Sequence, residues 1–316
     1  MGMGYLKIQV HTADDALPME NAKIIVYDTF GKIIYQTTTD INGDSGVLKL
    51  MAPDKKYTLD PNYNKPAYSV YDVDIKANLF LTKHIHGVEI VDTQTALLIE
   101  NMRPIADEPD PVTDEYIDIP PIALLDPVQS RQSLPPPSAA DAEAAPAAEM
   151  LDDPPEPRII GRGNVIIPDY ITVHLGIPTN ASARNVRIRF SDYIKNVTSG
   201  EIYSTWPNSS LEANIHAIVT FALNRVYTEW YRSRGYNFDI TNSTSYDMIY
   251  RDGGPVFENI SQIVDRIFNV YAVRIGFENP FFTQFCNGTT STCNGLSQWG
   301  TVALAKPRVA INLIKK

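Results

Sequence analysis

The chain has 316 residues, 44% of them hydrophobic and 10% aromatic, with a formal charge of −10 at pH 7. These are globular values with room for two domains. They exclude a basic nucleic-acid footprint, and no run approaches the ~18–20 apolar residues that a membrane-crossing helix needs.

The charge belongs to one segment. Residues 103–158 carry thirteen Asp or Glu against three Arg, and the rest of the chain balances 24 acids with 24 bases. The start, Met1-Gly2-Met3-Gly4-Tyr5-Leu6-Lys7, enters a strand pattern at once, without the basic and apolar regions of a standard secretory signal, so none is expected. Leu6 stands where a myristoylation motif carries Ser or Thr.

Residues 1–102 read as a small β-sandwich. Tyr5 to Val10 alternates with period two, and Ala22 to Tyr27 and Lys32 to Thr37 are rich in β-branched and aromatic residues. Asp28 to Gly31 and Asn42-Gly43-Asp44 supply turns. Val47 to Leu50, Ser69 to Ile75 and Val88 to Val91 bring the count to about seven short strands, a sandwich spacing. The Asp-x-x-Gly turn before Val47-Leu48-Lys49-Leu50 resembles transthyretin-like and carboxypeptidase-regulatory-like modules. His84 and His86 share one strand face. Without a third ligand nearby they read as surface histidines rather than a metal site.

Residues 103–158 also hold thirteen prolines and an Ala-rich run at 139–148. Such a stretch buries too little apolar surface to repay ordering and reads as a disordered, self-repelling linker. It is either a plain spacer or a protease-sensitive connector between a removable front piece and an active back piece.

Residues 159–316 mix strands and helices without a βαβ rhythm, so the fold class is α+β. Tyr170 to Leu175 and Val186 to Phe190 read as strands. From Pro207 the period becomes 3.6, with a stripe of Leu211, Ile215, Ile218, Val219, Ala222, Val226 and Trp230 ended by Gly235. A second helix is expected over 257–275, on Ile260, Ile263, Val264, Ile267, Phe268, Tyr271 and Ile275.

Glu201 stands just before Trp206-Pro207, at an expected strand-to-helix junction. Beside aromatic and small residues its carboxyl suits general-acid work; the plain alternative is a solvated glutamate at a helix N-terminus. The turn Asn294 to Gly300 sets Ser297, Gln298 and Trp299 between two glycines, which let a backbone approach a ligand closely. Gln offers paired donor and acceptor atoms. Thr244, Tyr246, Asp247 and Tyr250 lie in a polar loop that could line a saccharide groove, or they are ordinary turn residues. Cys286 and Cys293 leave a disulfide, free thiols or half a zinc site open, with zinc last because a structural site wants four ligands. His174 and His216 are the only distant histidine candidates in this half. No phosphate loop, dinucleotide fingerprint, HExxH or GxSxG motif occurs.

Three separated stretches, "KNVTSGEIYSTWP…LEANIHAIVTFALNRVYTEWY", "FDITNSTSYDMIY" and "QFCNGTTSTCNGLSQWG", resemble, in order, the SpoIID family of lytic transglycosylase domains, over residues 168–305. The likeness is to its SleC-type branch, the clostridial germination-specific spore cortex-lytic enzymes, whose pre- and pro-region the front piece also resembles. The resemblance implies a spore-localised zymogen. Its substrate would be cortex peptidoglycan, cut between MurNAc and GlcNAc without a cofactor. A germination protease would mature it by cutting in or just after the connector, near Arg158 to Gly163. The family's catalytic glutamate falls on Glu201. Trp206, Tyr246, Asp247, Ser297, Gln298 and Trp299 then bind substrate. Some relatives hold zinc with a His and two Cys, and no nearby His precedes Cys286 here. Glu201 would protonate the glycosidic oxygen and then deprotonate the MurNAc 6-hydroxyl, closing a 1,6-anhydro ring. A hydrolase would add a second carboxylate, for which only Asp239 and Asp247 offer themselves. Relatives continue into a helical peptidoglycan-binding domain where this chain ends in Pro307 to Lys316, so a C-terminal truncation is expected. The rival readings are a catalytically impaired paralogue that binds glycan or a coat partner, and an adhesin-like or phage-derived wall protein.

Overall fold

The structure is a computed structural model and describes residues 1–13, 15–105, 114–125, 157–161, 165–291 and 293–305. It mixes helices and sheets as an α+β protein. The C-terminal stretch 307–316 and most of the expected linker lie outside the described residues.

Two sheets fill the first hundred residues. The strands are β1 (Gly2–Thr12), β2 (Leu17–Pro18), β3 (Lys23–Tyr27), β4 (Ile33–Thr38), β5 (Asp44–Ala52), β6 (Ser69–Lys76), β7 (Thr82–Ile90) and β8 (Thr95–Met102). β1 lies between β5, antiparallel, and β8, parallel. The other sheet runs β4-β3-β6-β7, all antiparallel. Period-two alternation turns Leu6, Ile8 and Val10 of β1 and Tyr71, Val73 and Ile75 of β6 inward, where they are buried. We call this the two-sheet region.

Part of the expected linker is not a linker. Residues 114–118 form β9 (Asp114–Asp118), which adds a parallel edge to β7. Downstream, Ile119, Ile122 and Leu124 are buried. Apolar residues at 117, 119, 122 and 124 interrupt the acidic composition and give this strap something to bury, which a bulk charge count hides.

The second half opens with β10 (Pro157–Gly161), β11 (Tyr170–His174) and β12 (Asn185–Arg189), followed by helices α1 (Phe190–Glu201) and α2 (Asn208–Tyr227). The later elements are β13 (Ile240–Thr241), β14 (Val256–Phe257), α3 (Glu258–Ile267), β15 (Val270–Arg274), β16 (Phe285–Cys286), β17 (Leu296–Ser297) and α4 (Gln298–Ala305). Two expectations need correction. The helix over 257–275 ends at Ile267; Val270 to Arg274 is a strand paired with β10, as its β-branched and aromatic content favours. The same pairing puts Arg158 to Gly161, at the expected cut, into a bonded ladder rather than a free segment.

The halves are not separate bodies. One buried apolar cluster runs from Leu6 and Val88 through Ile122 to Val197, Trp206 and Phe257. β14 pairs with β8, matching Val256 to Leu97 and Phe257 to Ala96. The indole N–H of Trp206 donates to the Thr58 carbonyl at 2.8 Å, and the buried carboxylate of Glu89 pairs with the buried guanidinium of Arg251.

Candidate active site

Glu201 is the last residue of α1, not the start of a later helix. Phe190, Tyr193, Ile194, Val197 and Glu201 fall at helical spacing, so the acid occupies the buried face of α1. It is 6% exposed. The helix N-terminus alternative is therefore not met, since Glu201 ends α1. The backbone amide of Ile249 donates to Oε1 at 3.0 Å.

Gln298 completes the enclosure. Its side-chain amide stands 3.5 Å from Oε2 of Glu201 and 3.4 Å from the Glu201 carbonyl. Gln298 is the first residue of α4 and is 3% exposed. Thr301, one turn on, donates to the Gln298 carbonyl at 2.6 Å and meets Ser210 Oγ at 2.6 Å. Asn214 donates to Thr301 Oγ1 at 2.9 Å and to the Ser210 carbonyl at 2.8 Å. This buried polar knot fixes α4 on α2, and through it Gln298. Sequence reasoning missed it. The signal available was Asn214, a polar residue between Leu211 and Ile215 of the apolar stripe.

The remaining expected residues divide. Trp299 is half-buried, its amide donates to the Asn287 carbonyl at 3.0 Å, and its ring stands 4.9 Å from that of Trp206. Trp206 itself is buried at the junction with the two-sheet region and offers no open face. Ser297 caps α4: its Oγ accepts the Gly300 amide at 3.0 Å. The glycines of this turn serve the chain's own packing, since a Cβ on Gly295 would come 2.1 Å from the Gln284 carbonyl.

Asp247 is structural. It is 1% exposed and accepts from Arg225 Nε at 2.8 Å, Tyr231 Oη at 2.6 Å, Thr241 N at 2.9 Å and Thr241 Oγ1 at 2.8 Å. Tyr246 is half-buried, with its carbonyl accepting from Arg225 at 3.3 Å, and Tyr250 is buried. The loop does reach the acid, but through the Ile249 amide. Asp239 is also committed, taking the Thr172 amide at 2.8 Å and pairing with Arg232.

Cys286 and Cys293 form a disulfide, with Cα atoms 6.1 Å apart, which decides among the three readings. Asn287 organises the enclosed loop: its Oδ1 accepts the amides of Thr289 at 2.9 Å and Thr290 at 3.0 Å. His174 is buried, stacked on Phe238 and bonded to Asn185 at 2.7 Å, and His216 bonds the Val270 carbonyl at 3.2 Å. His84 and His86 pair with Asp74 and Asp118. Among the described residues no group of three His, Cys, Asp or Glu could hold a metal.

No protein-family model matches this chain, and no curated protein does. Solved structures give weak likenesses. The Bacillus anthracis TIE protein is 19% identical over 33% of this chain and 17% of its own, with a TM-score of 0.24. The minor pilin GBS52 of Streptococcus agalactiae is 11% identical over 34% of this chain and 47% of its own, at 0.24. Klebsiella pneumoniae 5-hydroxyisourate hydrolase is 9% identical over 31% of this chain and 84% of its own, at 0.21. The chain thus spans less than half the length of the first two, and at these scores the likenesses carry no argument about fold or activity.

Proposed function

We propose that the chain is the precursor of a SpoIID-family, SleC-type lytic transglycosylase. It would act in the spore on MurNAc–GlcNAc linkages of cortex peptidoglycan during germination. On this reading residues 1–102 are a β-sandwich pro-region, 103–158 contain the connector that a germination protease cuts, and 159–316 carry the catalysis. The observation that supports it is Glu201: one buried carboxyl held between the Ile249 amide and the Gln298 side chain, with Asp239 and Asp247 both committed elsewhere. A single acid suffices when the sugar's own 6-hydroxyl is the nucleophile. Glu201 gives its proton to the glycosidic oxygen, and the carboxylate then accepts the 6-hydroxyl proton as the anhydro ring closes. A hydrolase would need a second carboxylate to activate water or to form a covalent intermediate. Trp299, half-buried beside Gln298, is the ring we assign to sugar stacking.

Full-length protein cut in the connector should solubilise isolated cortex, and Glu201→Gln should lower the rate ~10²–10⁴-fold. A Glu201→Gln enzyme as active as the parent ends this assignment. The low exposure of Glu201 favours one rival, a glycan- or coat-binding protein without turnover. Sedimentation with cortex and no release of sugar by parent or cut protein would select it.

A further inference from the structure

Glu89 is the penultimate residue of β7, in the two-sheet region, and is 1% exposed. Its Oε1 accepts the Ile122 amide at 2.9 Å, and its Oε2 pairs with Arg251, 162 residues away. Arg251 is fully buried. Its Nη2 donates to the Ser199 carbonyl at 3.0 Å, and its own amide and carbonyl are both held by the Asn196 side chain at 2.8 Å. Asn196, Ser199 and Glu201 all belong to α1. Gly200 lies so near that a Cβ there would come 2.9 Å from Arg251 Nε. One guanidinium thus transmits a charge of the two-sheet region to the turn that carries the acid.

Two further contacts act on the same turn. The Phe257 amide donates to Ser199 Oγ at 3.2 Å, and Phe257 is paired to β8. Just beyond the acid, Trp206 is bonded to Thr58. Interfaces between separable domains are modest and polar. This one shares a sheet ladder, a core and a fully buried ion pair, and parting it would strand a buried guanidinium without its counter-charge.

We propose that the two-sheet region is a lasting part of the catalytic unit, staying docked after the connector is cut, and that Glu89 is a positioning residue that acts through Arg251 on the Ser199–Glu201 turn. The strap 119–125 belongs to the same docked unit: its Ile122 amide holds Glu89 and its Leu124 carbonyl accepts from Asn287 at 3.4 Å. Only the kinetic part of this proposal rests on the lytic reading of Glu201.

The test uses the full chain with a site-specific protease sequence inserted within 132–150. After complete cutting, the two pieces should co-elute on gel filtration at the mass of the intact chain; two separate peaks overturn the docking. In the same cut complex, Glu89→Gln should raise amide hydrogen exchange across 198–203 about ten-fold, a local opening without global unfolding. It should also lower kcat on cortex about ten- to a hundred-fold with KM little changed. Glu89→Asp should restore part of both. Arg251→Lys keeps a charge for Glu89 but gives up the fork that reaches Ser199. It should therefore reproduce the exchange increase while the pieces still co-elute, and it answers the question if Glu89→Gln does not fold. Unchanged exchange in both variants overturns the positioning role. A parent without lytic activity but with these exchange changes sinks the lytic reading alone.

Discussion

Two loops converge on Glu201, and they hold the acid in different ways. The loop 238–251 is anchored by charge: Asp247 gathers Arg225, Tyr231 and Thr241, and the contact with the acid is made two residues later by the Ile249 amide. The loop 284–300 is anchored covalently and by caps: the Cys286–Cys293 bond, Asn287 and Ser297 shape it, and the contact with the acid is a side chain, that of Gln298. In the first loop the conspicuous polar residue is a strut and an aliphatic residue touches the acid. In the second, the conspicuous residue is the one that touches it. Residue type draws attention to a side chain that touches the acid and says nothing of a backbone amide that does.

The largest expected effect is on the charge-anchored loop. Asp247→Ala leaves Arg225 buried without its partner and should cost about 3–5 kcal/mol in urea unfolding. A loss below about 1 kcal/mol, the range of an exposed pair, would mean that Asp247 is not the strut we describe. Next comes the covalent loop. Reducing a disulfide that spans 7 residues of sequence should cost about 2 kcal/mol. It should also loosen the Gln298–Trp299 turn, read as faster amide exchange at Trp299 while Ile249 stays protected. Exchange rising equally at both amides would erase the distinction between the loops.

Alkaline pH separates the loops from the other side. Burial, and then Asp247 nearby, push the Tyr231 hydroxyl above its ordinary value of 10.0. The folded state therefore holds this proton more tightly than the unfolded chain. The resulting stability is complete below pH 10.0 and is lost as pH climbs beyond it, by about 1.4 kcal/mol per unit. Tyr231→Phe should flatten that part of the stability–pH curve; an unaltered slope would remove Tyr231 from the account. The smallest effect is Ser297→Ala, which removes the cap of α4 and should lower stability by about 1 kcal/mol, seen as a small drop in Tm.

Much of the frame was legible. Alternation in Tyr5 to Val10 and the helical stripe after Pro207 are local signals, and both elements form. α1 carried an equally good stripe at Phe190, Tyr193, Ile194 and Val197. Its end, Asn196-Val197-Thr198-Ser199-Gly200, holds poor helix formers, and tertiary burial overrides that propensity. Glu201 and Gln298 stood out in the sequence through residue type and the family resemblance, and the structure sets them side by side. The Glu89–Arg251 pair, the Trp206–Thr58 bond and the Asn214–Thr301 contact did not, because each joins residues far apart in sequence through packing that no local pattern encodes.

The central proposal is that one acid carries the whole lytic reaction. Mass analysis of sugar ends released from cortex by the connector-cut protein tests it most directly. The account predicts 1,6-anhydro-MurNAc termini, one water lighter than reducing ends. Reducing termini from the parent protein would contradict it and require the second carboxylate that Asp239 and Asp247, as placed here, do not supply.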